Sequence, residues 1–470
     1  MDFGVYYVYI ELEIDEEEKF MNGNISDYIS RIDEQTSSFG KYNRQYYTEY
    51  NVKKGLRNAD GTGVLAGLTA VGEVHGYVLD EGNKAPIEGV LNYRGISVED
   101  LVENCKKENR FGYEEAIFLL ILGYLPTKEE LENFKEFLGS LRELPENFTE
   151  DMILKAPSKN IMNKIGRSTL SMYSYDENPD SLDIENQLRQ SFKLIACIPT
   201  MIAHAYATKR HYYDKKSLVL HLPNPKYSTA ENFLRMIRPN KSFTELEARI
   251  LDIAMILHAE HGGGNNSTFT VRVLSSSNTD TYSAISAAIG SLKGPKHGGA
   301  NEKTIRMMDE IKANVKDWTD EAEVLEYLKK IIRKEAGDGS GLIYGIGHAV
   351  YTLSDPRAKV LKGCAEELAK EKDCMKEYEL YNLIAKLAPT AFKEEKGIET
   401  PMPINVDFYS GFIYQMLGIP EDLFTPIFAM SRVAGWCAHR IEELLTGGKI
   451  IRPAYKTVAK RKSYIPIDER

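Results

Sequence analysis

Three short stretches carry residue types suited to activating a carbon acid: His297 in GPKHGGANE, His348 in YGIGHAVYTLSDPR and Asp407 in NVDFYSG. A carboxylate base can remove a proton beside a carbonyl while imidazole donors hold the oxyanion that develops. Glycines frame both histidines, at Gly298–Gly299 and at Gly345 and Gly347, and let backbone approach a ligand closely. Around Asp407 the apolar neighbours Ile404, Val406 and Phe408 would desolvate the carboxylate and raise its basicity. Arginines supply the complementary charge. Arg357 follows Asp355–Pro356 at a predicted helix start, where the helix dipole disfavours a cation, so help in anion binding explains it better. Arg432 and Arg452 are the other two candidates, each able to grip a carboxylate by two donors, and three converging arginines would suit a dicarboxylate.

Other chemistries find less support. His258 and His261 in LHAEHGGGNNST resemble a metal pair, but no third ligand is sensibly spaced and HExxH is absent, so no metal site is expected. GSLKGPKHGG lacks the GxxxxGK[ST] of a phosphate loop, and no GxSxG surrounds Ser410. The net charge of −10, without clustered basic residues, argues against a nucleic-acid surface. Five scattered cysteines without CxxC suit free thiols in a reducing compartment. The longest apolar run, residues 116–125, is about half a membrane span and reads as a buried helix. The acidic N-terminal stretch has no basic leader region, so a cytoplasmic protein is expected.

The elements that must position these residues are nearly all helices. Helical periodicity predicts segments at 246–258, 303–315, 320–335, 357–371 and 376–388. Ser97 is placed at a helix start, and Thr127 with Glu130 and Ser242 with Glu245 are read as capping boxes. A small hairpin is expected within 71–95, and residues 5–14 partly alternate like a strand. Glycine- and proline-rich breaks fall at 60–67, 222–226, 262–264, 294–299, 337–347 and 399–403.

Seven motifs in order, from about residue 62 to 456, resemble the citrate synthase family: GVLNYRGISVEDL, LGYLPTKEEL, HAEHGGGNNST, KGPKHGGANE, GIGHAVYTLSDPRA, NVDFYSG and SRVAGWCAH with RPAY. The resemblance implies an all-α, multi-helical two-domain fold with a small N-terminal β-hairpin. It divides the chain into an extension at 1–60, a large domain at 61–296 with 413–470, and a small domain at 297–412. It implies condensation of acetyl-CoA with oxaloacetate, hydrolysis of citryl-CoA, and a place in the tricarboxylic acid cycle. Asp407 would be the base, His297 the enol stabiliser and His348 the ketone polariser, with His261, Arg357 and Arg432 on oxaloacetate. Arg452 would enter the site of the neighbouring subunit in a homodimer, and the backbone at Gly345 and Gly347 would contact CoA. No tightly bound cofactor, metal, nucleic acid or membrane is implied; acetyl-CoA is a co-substrate. A 2-methylcitrate synthase using propionyl-CoA is the alternative within the family, and a non-catalytic helical scaffold the alternative outside it. The chain departs from common family patterns at Glu260, Gly262, Leu342 and Ala349, and residues 1–60 do not match the sheet domain of NADH-inhibited members.

Overall fold

Helix-start chemistry explains much of the architecture. In the computed structural model, which describes residues 27, 29–30, 43–80 and 83–470, Ser97 accepts from the Glu99 amide at the head of Val98–Lys107. Thr127 and Glu130 close a capping box on Lys128–Ser140. The third expected box is displaced. Thr244 and Glu247, rather than Ser242 and Glu245, cap the helix Glu245–His258, because it is Thr244 that adopts the extended conformation a cap requires. Asp355 caps Pro356–Glu371, with the proline in the first turn where its missing N–H costs nothing. The last predicted segment runs on through Pro389 as Met375–Lys396 and stops at Gly397 in the left-handed region. The apolar segment from residue 116 is the interior of Tyr113–Leu122, whose first nine residues are all buried.

The buried centre of the fold is the helix Phe424–Leu445. Trp436, Arg432, His439 and Arg440 on it are all fully buried. It packs against Ile184–Tyr212, Tyr113–Leu122, Asn266–Ser275 and Thr281–Lys293. Among the described residues the sheet has three antiparallel strands, β1 (Gly72–Asp80), β2 (Asn83–Tyr93) and β3 (Ile96–Ser97). The β1–β2 register shifts between His75 and Tyr77, which makes Gly76 a bulge. The strand-like pattern at residues 5–14 lies outside the described residues. The described part of Met1–Leu65 groups with Arg452–Arg470 in one compact unit, and Ala66–Ile451 forms the other. Among the described residues, no helix is long and apolar enough to cross a membrane.

Candidate active site

The two loops that carry His348 and Asp407, distant in sequence, are stitched together by backbone. Ile346 pairs with Ile404 as an antiparallel bridge, the Gly347 amide donates to the Pro403 carbonyl at 2.7 Å, and the Asn405 amide donates to the Gly345 carbonyl at 2.9 Å. Gly345 and Gly347 take φ of +82° and +89°, and a Cβ on Gly345 would lie 2.7 Å from the Phe408 ring. Glycine is the residue that satisfies both demands. Asn405 completes the seam: its amide nitrogen donates to the Gly347 carbonyl at 2.9 Å, while its side-chain oxygen accepts the Asp407 N–H at 3.0 Å and caps the helix Val406–Met416.

Asp407 therefore stands in the first turn of a helix, where the dipole favours a carboxylate. Burial outweighs that effect and pushes its pKa up to about 6, against the opposing pull of Arg357. His348 accepts at Nδ1 from the Val350 and Tyr351 amides, both at 3.1 Å, so its ring proton belongs on Nε2. The Tyr351 ring stacks on it, centroids 4.6 Å apart, and His261 meets it edge-on at 5.3 Å.

His297 sits in the turn after Thr281–Lys293, with its Nε2 3.1 Å from Ser267 Oγ. The Trp436 indole N–H donates to the same hydroxyl at 3.1 Å. Burial first, then the Arg432 charge, lowers the His297 pKa to about 4. His261 is driven well below the usual imidazole range by burial and by Arg357, His348, Arg432 and His297 around it. Both imidazoles are thus neutral at ordinary pH.

The two buried arginines are held differently. Asp355 grips Arg357 through Nε at 3.0 Å and Nη2 at 2.8 Å, and the Tyr351 ring lies 5.5 Å beneath its guanidinium. That ion pair, not anticipated from sequence, is what allows a cation at the helix N-terminus. Arg432 donates from Nε to the His258 carbonyl at 2.5 Å and lies over Phe428 at 4.8 Å. Among the described residues its Nη1 and Nη2 have no hydrogen-bond partner although both are buried. His258 is a buried structural histidine, 3.1 Å from the Tyr414 hydroxyl, and among the described residues no group of three His, Cys, Asp or Glu could hold a metal ion.

His261, His297, His348, Arg357 and Arg432 thus share one electrostatic neighbourhood, to which Asp407 is tied through Arg357. Arg452 is exposed and belongs to the other compact unit. Sequence reading passed over Ser267, Tyr351 and Asn405, which lie inside the quoted motifs but carry no spacing signal of their own. It also passed over the support beneath His261: Arg272 donates to His439 Nδ1 at 2.7 Å, so His439 Nε2 donates to Glu260 at 2.9 Å, and Glu260 accepts the Gly262 amide.

The hairpin braces the loop after His348. A Cβ on Gly76 would come within 2.5 Å of the Tyr351 Cα, and one on Gly89 would meet the Ser354 carbonyl and lie 2.7 Å from the Tyr351 ring. Gly89→Ala is expected to cost about 1–3 kcal/mol through overpacking against backbone. Gly290→Ala, in an open helix interior, is expected to gain about 0.5–1 kcal/mol. Denaturant midpoints of the two variants should move in opposite directions, and a Gly89→Ala midpoint matching wild type would remove the brace.

An almost wholly helical fold around neutral imidazoles, buried arginines and a carboxylate of raised pKa suits an enzyme that activates a carbon acid beside an anionic substrate. The model of the family described as citrate synthase, C-terminal domain, matches residues 60–454. The citrate synthase of Haloferax volcanii is 36% identical over 387 residues, covering 81% of this chain and 93% of that protein. The 2-methylcitrate synthase 1 of Corynebacterium glutamicum is 34% identical over 432 residues, covering 90% of this chain and 100% of its own. Among solved structures, the ternary complex of Thermoplasma acidophilum citrate synthase with carboxymethyl coenzyme A and oxaloacetate has a TM-score of 0.71 at 29% identity, covering 89% of this chain and 99% of that one. The chain belongs to the citrate synthase family.

Proposed function

We propose that this enzyme condenses acetyl-CoA with oxaloacetate and hydrolyses citryl-CoA to citrate and CoA. The observation that carries the reading is the convergence of three neutral or proton-donating imidazoles, two buried arginines and a carboxylate of raised pKa. Asp407 would take the methyl proton. His297 would hydrogen-bond the thioester oxygen, its ring held at Nε2 by the Ser267 hydroxyl, which also accepts from the Trp436 indole and donates to Asn265 Oδ1 at 2.8 Å. His348, donating from Nε2, would polarise the ketone and then hold the alkoxide. Preorganised donors of this kind supply most of what makes a weak carbon acid react.

Arg357, Arg432 and His261 would bind the carboxylates of oxaloacetate, and the backbone at Gly345 and Gly347 would approach CoA. Closure of residues 297–412 over the rest, with hinges in the glycine-rich joints at 294–299 and 399–411, would exclude water. A homodimer in which Arg452 completes the partner's site, in the cytoplasm, belongs to the same reading. Arg452→Ala is then expected to raise KM for oxaloacetate without lowering the unfolding midpoint; unchanged kinetics would remove the trans-subunit role.

The second reading is a 2-methylcitrate synthase, favoured by the Corynebacterium glutamicum relative, which spans 90% of this chain where the Haloferax volcanii citrate synthase spans 81%. One methylene changes binding by only about 1–3 kcal/mol, so comparing kcat/KM for acetyl-CoA and propionyl-CoA in a thiol-release assay decides between them. Failure to release thiol with either acyl-CoA in the presence of oxaloacetate would reject both.

The pH dependence follows from the base. A carboxylate must be ionised to accept a proton, so activity should rise with pH, half-maximal at about 6 where an ordinary Asp would give about 4. His297, at about 4, is already neutral there and should add no limb above pH 5. An acid limb of kcat/KM below pH 5 would contradict the assignment of Asp407.

A further inference from the structure

We infer that Tyr351 is a substrate-binding residue, its hydroxyl donating to the carboxylate that Arg432 grips; this rests on the proposed reading of the site as one for an oxo-dicarboxylate. Tyr351 is 1% exposed, and among the described residues its hydroxyl has no hydrogen-bond partner. Other buried tyrosines nearby are satisfied: Tyr93 donates to the Ile256 carbonyl at 2.7 Å, and Tyr113 to the Met430 carbonyl at 2.9 Å. Tyr381 also lacks a partner, but it lies among the rings of Phe408, Tyr409 and Phe412. Tyr351 instead sits between charges. Its ring stacks on His348, meets His261 edge-on at 5.6 Å and lies under Arg357, and its hydroxyl feels Arg357 and Arg432.

Three further buried atoms on residues that it couples to or touches, Arg432 Nη1 and Nη2 and His261 Nε2, are likewise without partners among the described residues. Buried donors left unmade are costly, and the three that must donate, the tyrosine hydroxyl and the two guanidinium nitrogens, point to a ligand rich in acceptor oxygens. A carboxylate accepts several such bonds at once. The tyrosine thus adds a neutral donor to the charged ones, while its ring stacks on the His348 imidazole.

Tyr351→Phe keeps the ring and removes only the hydroxyl. We expect KM for oxaloacetate, and its Kd by calorimetry, to rise about tenfold or more, with kcat within about threefold of wild type. Without ligand, the unfolding midpoint should be equal to or above wild type, because a partnerless hydroxyl contributes no bond; the shift produced by added oxaloacetate should be smaller than in wild type. Unchanged KM and Kd, a loss confined to kcat, or a lowered midpoint without ligand would each overturn the inference while leaving the site reading intact. If wild type itself neither binds oxaloacetate nor releases thiol with it, the reading of the site falls and takes this inference with it.

Discussion

Asp407→Asn is expected to lower kcat about a thousandfold or more while oxaloacetate still binds with near-normal affinity, since general-base catalysis contributes about 10²–10⁴-fold. The amide keeps the size of the side chain and its place on the helix capped by Asn405, so the seam between the 345–348 and 403–405 loops should survive. What is lost is a carboxylate whose basicity burial has raised toward that needed for proton removal from a thioester. Thiol release measures kcat and calorimetry the binding. A loss appearing in oxaloacetate affinity with kcat preserved would make Asp407 a binding residue and leave the site without its base.

Arg432→Met carries the second large effect: KM for oxaloacetate should rise about a hundredfold or more, as when a fully desolvated charge partner is removed from a bound anion. Arg432 is fully buried, and only its Nε has a hydrogen-bond partner among the described residues, so most of its donor capacity faces something other than the fold. Burial works against its charge while the Glu260 carboxylate supports it. Methionine fills a similar volume over Phe428 and removes the cost of burying a cation, so the unfolding midpoint without ligand should fall little or rise. If stability drops sharply and KM stays put, the arginine serves the Glu260 and Phe428 packing rather than an anion.

Local sequence settled the helical class, the hairpin and the helix starts at Ser97, Thr127 and Asp355, and it marked the three motifs that carry His297, His348 and Asp407. Each rests on short-range physics: capping oxygens, apolar period, or glycines where backbone must turn tightly. The misplaced box at Ser242 shows the limit of that logic, because two hydroxyl residues each had a glutamate three positions on and it is Thr244 that closes the box in the folded chain. The helix that continues past Pro389 shows another, since packing on both sides outweighs the lost hydrogen bond.

The tertiary structure alone decided which groups meet. No spacing in the chain foretells that Ser267 and Trp436 would hold His297, that Asp355 would neutralise Arg357, or that Arg272 and His439 would anchor the turn beside His261. Nor does any pattern mark Tyr351, which reads as one more aromatic until its ring is found against two imidazoles and a guanidinium. Residue type and local frame fix what a side chain can do; its protonation, orientation and partners depend on burial and neighbours that arrive from hundreds of residues away.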